Sequence, residues 1–211
     1  MRFPSDCNKE IAQPCRKGRL REGNHRCPRM IIHTIGGYNE VGKNMTVVEI
    51  GYDAIMLDAG IYLPAVVELQ EAETQQHTYS EEKLRSIGAL PDDISLDRMG
   101  LRNKIRAILL GHAHLDHIGA VPYLSHRYNA PVVGTPFTTD VLKRIIEDEN
   151  LKVPNQIKSI LPNSSFVIKG KQRNYTAEFI NITHSTIQTS MIALHTPEGV
   201  VLYANDFKLD N

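Results

Sequence analysis

Seven consecutive residues, Gly111-His112-Ala113-His114-Leu115-Asp116-His117, place three imidazoles and one carboxylate within six positions, a density of metal-binding chemistry that no other segment of the chain reaches. His112 and His114 are two residues apart, so in extended backbone they project to the same side and can chelate one ion. Asp116 and His117 are adjacent and reach a second position only if the chain bends there. Gly119, and Pro122 near the first turn of a helix-like run from Ile118 to Tyr128, supply that bend. The mixed nitrogen and oxygen donors suit Zn²⁺, with Mn²⁺ or Fe²⁺ as alternatives. With no thiolate near, a structural zinc site of the cysteine type is not expected. A lone histidine is most often a hydrogen-bonded structural residue, and the density of this cluster is what sets it apart.

The cluster follows Ile105–Leu110, an almost unbroken apolar run that suits a strand buried on both faces. Before it, strand-like runs cover residues 31–35, 45–50 and 54–57, the last two joined as a hairpin at Gly51-Tyr52-Asp53. The third run ends in Asp58-Ala59-Gly60, where the carboxylate either holds the N–H of a ligand imidazole or caps a turn. After the cluster come a strand over 131–134, an amphipathic helix over 136–150 with Val141, Leu142, Ile145 and Ile146 inward, and strands over 165–168, 175–182, 191–196 and 200–204. Pro197-Glu198-Gly199 joins the last two. Two of these later strands lead into candidate ligands, His184-Ser185 and Asp206, which repeats the pattern of an apolar run ending in a metal-capable residue. His184 is the expected third nitrogen beside His112 and His114. His25, His33, His77, His126 and His195 have no such setting and are read as structural.

Other segments carry weaker signals. The glycine-rich stretch Gly36–Asn44 allows close backbone approach to an anion, but a hairpin connection is the favoured reading, and its spacing fits neither GxGxxG nor the Walker pattern. Residues 64–97 show little pattern beyond a short helix capped by Ser80, and the acidic pair Asp92-Asp93 reads as a solvated face.

Composition bounds the function. The chain has 211 residues, 41% hydrophobic and 23% charged, which fits one sizeable globular domain. No stretch is apolar enough to span a membrane, and no apolar secretory segment opens the chain. Eight Lys/Arg face three acids in residues 1–29, whereas sixteen face twenty-one in the remainder, so bulk charge gives no argument for nucleic acid. Cys7, Cys15 and Cys27 all fall in that basic segment, without a disulfide or zinc-ribbon spacing. Their absence elsewhere fits a reducing cytoplasm, and residues 1–29 are expected to form a disordered basic extension.

The series His112-Ala-His114-Leu-Asp116-His117, preceded by Gly36–Met45 and Leu57-Asp58-Ala59-Gly60 and followed by Thr183-His184-Ser185 and Asn205-Asp206-Phe207-Lys208, resembles the β-CASP nucleases of the metallo-β-lactamase fold. Within them it is most similar to the ribonuclease J family of archaeal type. The resemblance runs from about Met30 to Asn211 and implies an α/β fold, the N-terminal part of an αββα sandwich over residues 30–211. It implies that His112, His114 and His184 bind a first zinc, that Asp116 and His117 bind a second, and that Asp206 bridges the two. Asp58 would act from behind the ligands, Asp116 would serve as a weak base, and Ser185 would contact a phosphate oxygen. Two ions about 3.5–4 Å apart would drive in-line attack of hydroxide on an RNA phosphodiester. Cleavage from the 5′ end, with possible endonuclease activity, is what the resemblance implies.

Members of this family insert a β-CASP domain after the position of Asp206 and then complete the lactamase core. Those later parts supply another acid, two histidines and a phosphate-holding loop, none of which lies within these 211 residues. The expectation is therefore an incomplete lactamase domain with little or no nuclease activity alone, acting on RNA as a homo-oligomer or beside a complementing C-terminal chain, with no membrane partner. Two rivals stand beside it, a small-molecule metallo-hydrolase of glyoxalase II or lactonase type and a non-catalytic metal-binding fragment.

Overall fold

Two sheets carry the chain, and the computed structural model describes residues 29–72 and 78–208 of it. The first sheet holds six strands in chain order: β1 (Met30–Gly36), β2 (Met45–Ile50), β3 (Asp53–Leu57), β4 (Ile105–Leu109), β5 (Val132–Gly134) and β6 (Ile157–Ser159). β1, β2 and β3 pair antiparallel, whereas β3 through β6 run parallel. The second sheet is an antiparallel meander of β7 (Ser164–Lys169), β8 (Asn174–Asn181), β9 (Ser190–Thr196) and β10 (Gly199–Tyr203).

β4 is flanked by parallel neighbours and buried on both faces, as its apolar run requires. Ala107 and Leu109 turn towards the second sheet, with Val48, Ile55 and Leu57, and meet Ile168, Phe179, Ile192 and Leu194 there. Ile108 turns the other way, with Val47 and Met56, and packs under the helices through Leu84, Leu96, Ile118, Val121 and Leu142. The result is three layers, helices on one sheet and that sheet on another. Among the described residues no helix covers the outer face of the second sheet, where Val167, Ile180, Val200 and Leu202 lie exposed. This is the expected lactamase architecture with three of its four layers.

Among the described residues the α-helices are α1 (Leu63–Ala72), α2 (Glu81–Ser86), α3 (Ile94–Arg98), α4 (Leu115–Ile118), α5 (Val121–Leu124) and α6 (Pro136–Asp148). Ser80 caps α2 through its hydroxyl, which accepts from Lys83 N. In α6 Leu142 is fully buried, and Val141, Ile145 and Ile146 pack partly buried beside it.

Two expectations need correction. The single helix expected over 118–128 is two one-turn helices and a 3₁₀ turn at Ser125–Arg127. α4 stops because Asp116 O accepts from Asn44 N and His117 O from Ala59 N, while Ala120 N donates to Ala59 O instead of back into the helix. Asp93 is buried, not solvated, accepts from Arg85 and Tyr128 and forms an ion pair with Arg127. Strand β6 and helix α1 had no counterpart in the sequence reading. The basic segment 1–29, apart from Arg29, and its three cysteines lie outside the described residues, as do His25 and His77.

Candidate metal centre

Four strand ends converge at one pole of the sandwich. Asp58 follows β3, the Gly111–His117 stretch follows β4, His184 lies in the connection from β8 to β9, and Asp206 follows β10. Two glycines permit the approach. A Cβ on Gly60 would lie 1.5 Å from Asp116 O, and one on Gly111 would lie 2.0 Å from Asn205 Nδ2. Ser190 N donates to Gly111 O at 2.9 Å and Lys208 N to Thr183 O at 2.8 Å, which ties the later segments to the first.

Two groups of potential ligands result, His112, His114, His184 and Asp206 in one and Asp116, His117 and Asp206 in the other, so Asp206 belongs to both. Nδ1 of His114 lies 3.0 Å from Nε2 of His112 and 3.2 Å from Nε2 of His184. Oδ2 of Asp206 stands 3.9 Å from His112 Nε2, 3.8 Å from His184 Nε2 and 3.6 Å from His117 Nε2. In the second group His117 Nε2 and Asp116 Oδ2 are 3.4 Å apart. Metal–nitrogen bonds of about 2.0–2.1 Å in a tetrahedron set neighbouring donors about 3.3 Å apart, close to the 3.0 and 3.2 Å that separate His114 Nδ1 from the other two imidazole nitrogens.

The electrostatics favour a cation. Burial, with the neighbouring imidazoles, holds His112 neutral, its pKa lowered to about 4, and burial also lowers that of His184. His117 goes the other way: burial pulls it down, but Asp58, Asp116 and Asp206 more than offset this and push it up to about 11. Hydrogen bonding to His117 in turn lowers Asp206 to about 2. Nδ1 of His112 and Nδ1 of His184 are both buried without a hydrogen-bond partner. Such burial costs about 1–3 kcal/mol per unsatisfied group, and these are the ring nitrogens turned away from the centre, which their Nε2 atoms face. The nitrogens that converge, Nε2 of His112, Nε2 of His184 and Nδ1 of His114, beside the carboxylate of Asp206 suit a divalent ion.

Each residue expected at the site can now be placed. Asp58 is fully buried; its Oδ1 accepts from Gly111 N at 2.8 Å and its Oδ2 meets His117 Nδ1 at 2.6 Å. Ser185 stands at the exposed rim, its hydroxyl 3.3 Å from His114 Nε2. The other described histidines lie elsewhere, His33 against Glu49, His126 against Glu81 and His195 against Glu178.

The sequence reading missed Asn44. Its side-chain amide donates to Asp116 O at 2.9 Å, approaches Asp116 Oδ2 at 3.3 Å and lies 3.1 Å from His117 Nε2. The Gly36–Asn44 stretch is the β1–β2 connection, as favoured, yet its last residue reaches the centre. Tyr203 was missed too; its buried hydroxyl bonds to Asp58, and both effects raise its pKa. A cavity of about 200 Å³ opens beside the ligands, lined by Tyr38, Asn44, His117, Tyr203, Asn205 and Asp206.

Comparison with known proteins agrees with this geometry. The sequence model of the metallo-beta-lactamase superfamily matches residues 38–210. The chain belongs to that superfamily. It is 41% identical over 184 residues to ribonuclease J of Methanocaldococcus jannaschii, covering 87% of this chain and 40% of that one. It is 43% identical over 183 residues to ribonuclease J of Pyrococcus abyssi, covering 85% and 38%. The chain therefore spans about two fifths of the length of these relatives. Among solved structures, a protein of unknown function from Enterococcus faecalis aligns with TM-score 0.62 at 20% identity, over 85% of this chain and 44% of that one. A metallo-beta-lactamase from Cronobacter sakazakii aligns with TM-score 0.51 at 16% identity, over 80% and 58%. These two share the fold. Superfamily membership implies a divalent metal, and the His/Asp groups described above are those able to hold one. No helix among the described residues is long and apolar enough to cross a membrane.

Proposed function

We propose that this chain is the metal-binding part of a ribonuclease J-like enzyme that hydrolyses RNA phosphodiesters, with zinc as its metal. The observation that carries the reading is the convergence of seven metal-capable or metal-supporting side chains from four strand ends, in a chain more than 40% identical to two archaeal ribonucleases J. In this reading His112, His114, His184 and Asp206 hold one ion, and Asp116, His117 and Asp206 hold another. Bound there, divalent ions would supply the positive charge that polarises a phosphodiester and favours ionisation of attacking water.

The chain's own residues do the rest. Asp58 takes the Nδ1–H of His117, which leaves Nε2 as the nitrogen facing Asp116 and Asp206. Asn44 braces Asp116 from its backbone and its carboxylate together. Asp116 is the candidate proton acceptor, weak because hydrogen bonding to His117 keeps its pKa low against the effect of burial. Ser185, at the open rim, is placed to donate to a phosphate oxygen. The mouth is polar and open, which suits a charged polymer better than a small apolar substrate.

In this reading the protein acts in the cytoplasm and cleaves from the 5′ end. The decisive experiment incubates the purified chain, metal-loaded, with 5′-monophosphorylated single-stranded RNA and separately with a thioester and a lactone. Turnover of RNA, alone or after addition of the remaining portion of a relative, supports the proposal. Turnover of the thioester or lactone with none of RNA under either condition overturns it.

A further inference from the structure

A second cavity, of about 780 Å³, lies far from the metal ligands. Its wall includes Arg106 on β4, Pro131 just before β5, Gln156 and Lys158 at the start of β6, and Phe166 and Lys169 on β7. These are the N-terminal ends of three parallel strands, whereas the ligands follow the C-terminal end of β4. At about 3.3 Å per residue, Arg106 and His112 are roughly 20 Å apart along the chain. The cavity therefore belongs to the opposite pole of the sandwich.

No carboxylate lines it. Arg106 and Arg127 face it but are committed behind the wall, Arg106 to Asp53 at 2.6 Å and Arg127 to Asp93 at 3.1 Å. Lys158 and Lys169 are different: among the described residues neither has a carboxylate within salt-bridge distance. Lys158 instead lies over the ring of Phe166, 5.5 Å from its centroid. Lys158 beside an aromatic ring and a second ammonium group, Lys169, in the wall of the same concave site of nucleotide size form a combination that binds single-stranded nucleic acid: charge for the phosphates and apolar surface for a base.

We propose that this cavity is a second binding site for a short single-stranded RNA segment, independent of the metal centre. The choice of RNA rests on the function proposed above, but binding is read without catalysis, so failure of either claim leaves the other standing. Lys158 and Lys169 contact consecutive phosphates, and Phe166 offers its ring to the base between them.

The test uses the full chain in EDTA with a fluorescent ten-nucleotide uridine-rich RNA carrying 4-thiouridine. Photo-crosslinking followed by peptide mapping should place the RNA on residues 154–170. Lys158→Glu with Lys169→Glu should remove those crosslinks and weaken anisotropy-measured binding at least tenfold, while reducing the salt slope of log K by about 1.4 for two phosphate contacts. Lys158→Gln with Lys169→Gln, which adds no negative charge, should weaken binding in the same direction if the reversed pair unfolds. Lys158→Arg with Lys169→Arg should bind within twofold of the native chain, and His112→Ala should leave the crosslinks in place. Crosslinks confined to residues 1–29 or to the metal centre would overturn the proposal, as would full displacement of the strand by millimolar uridine monophosphate, which would mark a mononucleotide site.

Discussion

Oδ2 of Asp58 lies 2.6 Å from Nδ1 of His117, and both residues are buried. Asp58 also has a left-handed backbone, with φ of 58°, a conformation that aspartate and asparagine accept more readily than other side chains. Asp58→Asn is therefore the informative variant, because it preserves the shape and the backbone while removing the charge. An amide in this place would present N–H towards His117 Nδ1 and force the proton to Nε2, the nitrogen that faces Asp116 and Asp206. Divalent metal affinity should fall about 10–100-fold with the fold retained, as measured by competition against a chromophoric chelator. Unchanged affinity would remove Asp58 from the site.

His112→Ala should lose bound metal. His112 is fully buried, and its Nε2 lies 3.0 Å from His114 Nδ1, which lies 3.2 Å from His184 Nε2. Elemental analysis after dialysis should show fewer ions per chain than the native protein binds, and an unchanged ratio would refute the assignment. His195→Ala, at an exposed pair with Glu178 on the second sheet, should leave the ratio unchanged.

Gly60→Ala tests how tightly the segments lock together. The added Cβ would sit 1.5 Å from Asp116 O, a backbone atom pinned by Asn44 N and the Asn44 side chain. No rotamer relieves that overlap, so either the β3 end or α4 must move. The expected loss exceeds the 1–3 kcal/mol of ordinary overpacking and should show as a large fall in the urea midpoint.

The convergence of the candidate ligands at one pole was largely legible in sequence, because strand ends are simple to locate from apolar runs. Ile105–Leu110 announced a strand buried on both faces and the runs ending at Ile182 and Ala204 announced strands, which prove partly exposed, and the polar residues after all three emerge at one pole. What could not be read were partners supplied by folding. Asn44 closes a glycine-rich loop and carries no periodicity, so only the register of β1 on β2 brings it under Asp116. Asp93 looked solvated beside Asp92, and its burial depends on Arg85, Arg127 and Tyr128, eight to thirty-five residues away. The helix after His117 was cut short by hydrogen bonds with Asn44 and Ala59, neither of them local.

The pH dependence of stability should have an alkaline arm set by buried phenols. Burial, with Asp53 beside it, pushes Tyr175 up to about 12, and its hydroxyl donates to Asp53 Oδ2 at 3.1 Å. An unfolded tyrosine ionises near pH 10, so between about pH 10 and 12 the unfolded chain releases a proton that the folded chain retains. The unfolded state then binds fewer protons, and stability falls as pH rises through that window, while the contribution is complete below it. Tyr123, raised to about 12 by burial and by Glu149, adds to the same arm. Tyr175→Phe should lose about 1 kcal/mol at neutral pH from the missing hydrogen bond. Asp53 would still be held by Arg106 and by Lys171 N, so the fold should survive. Urea midpoints followed from pH 8 to 12 should decline less steeply for the variant than for the native chain, and parallel declines would show that Tyr175 titrates as it does in the unfolded chain.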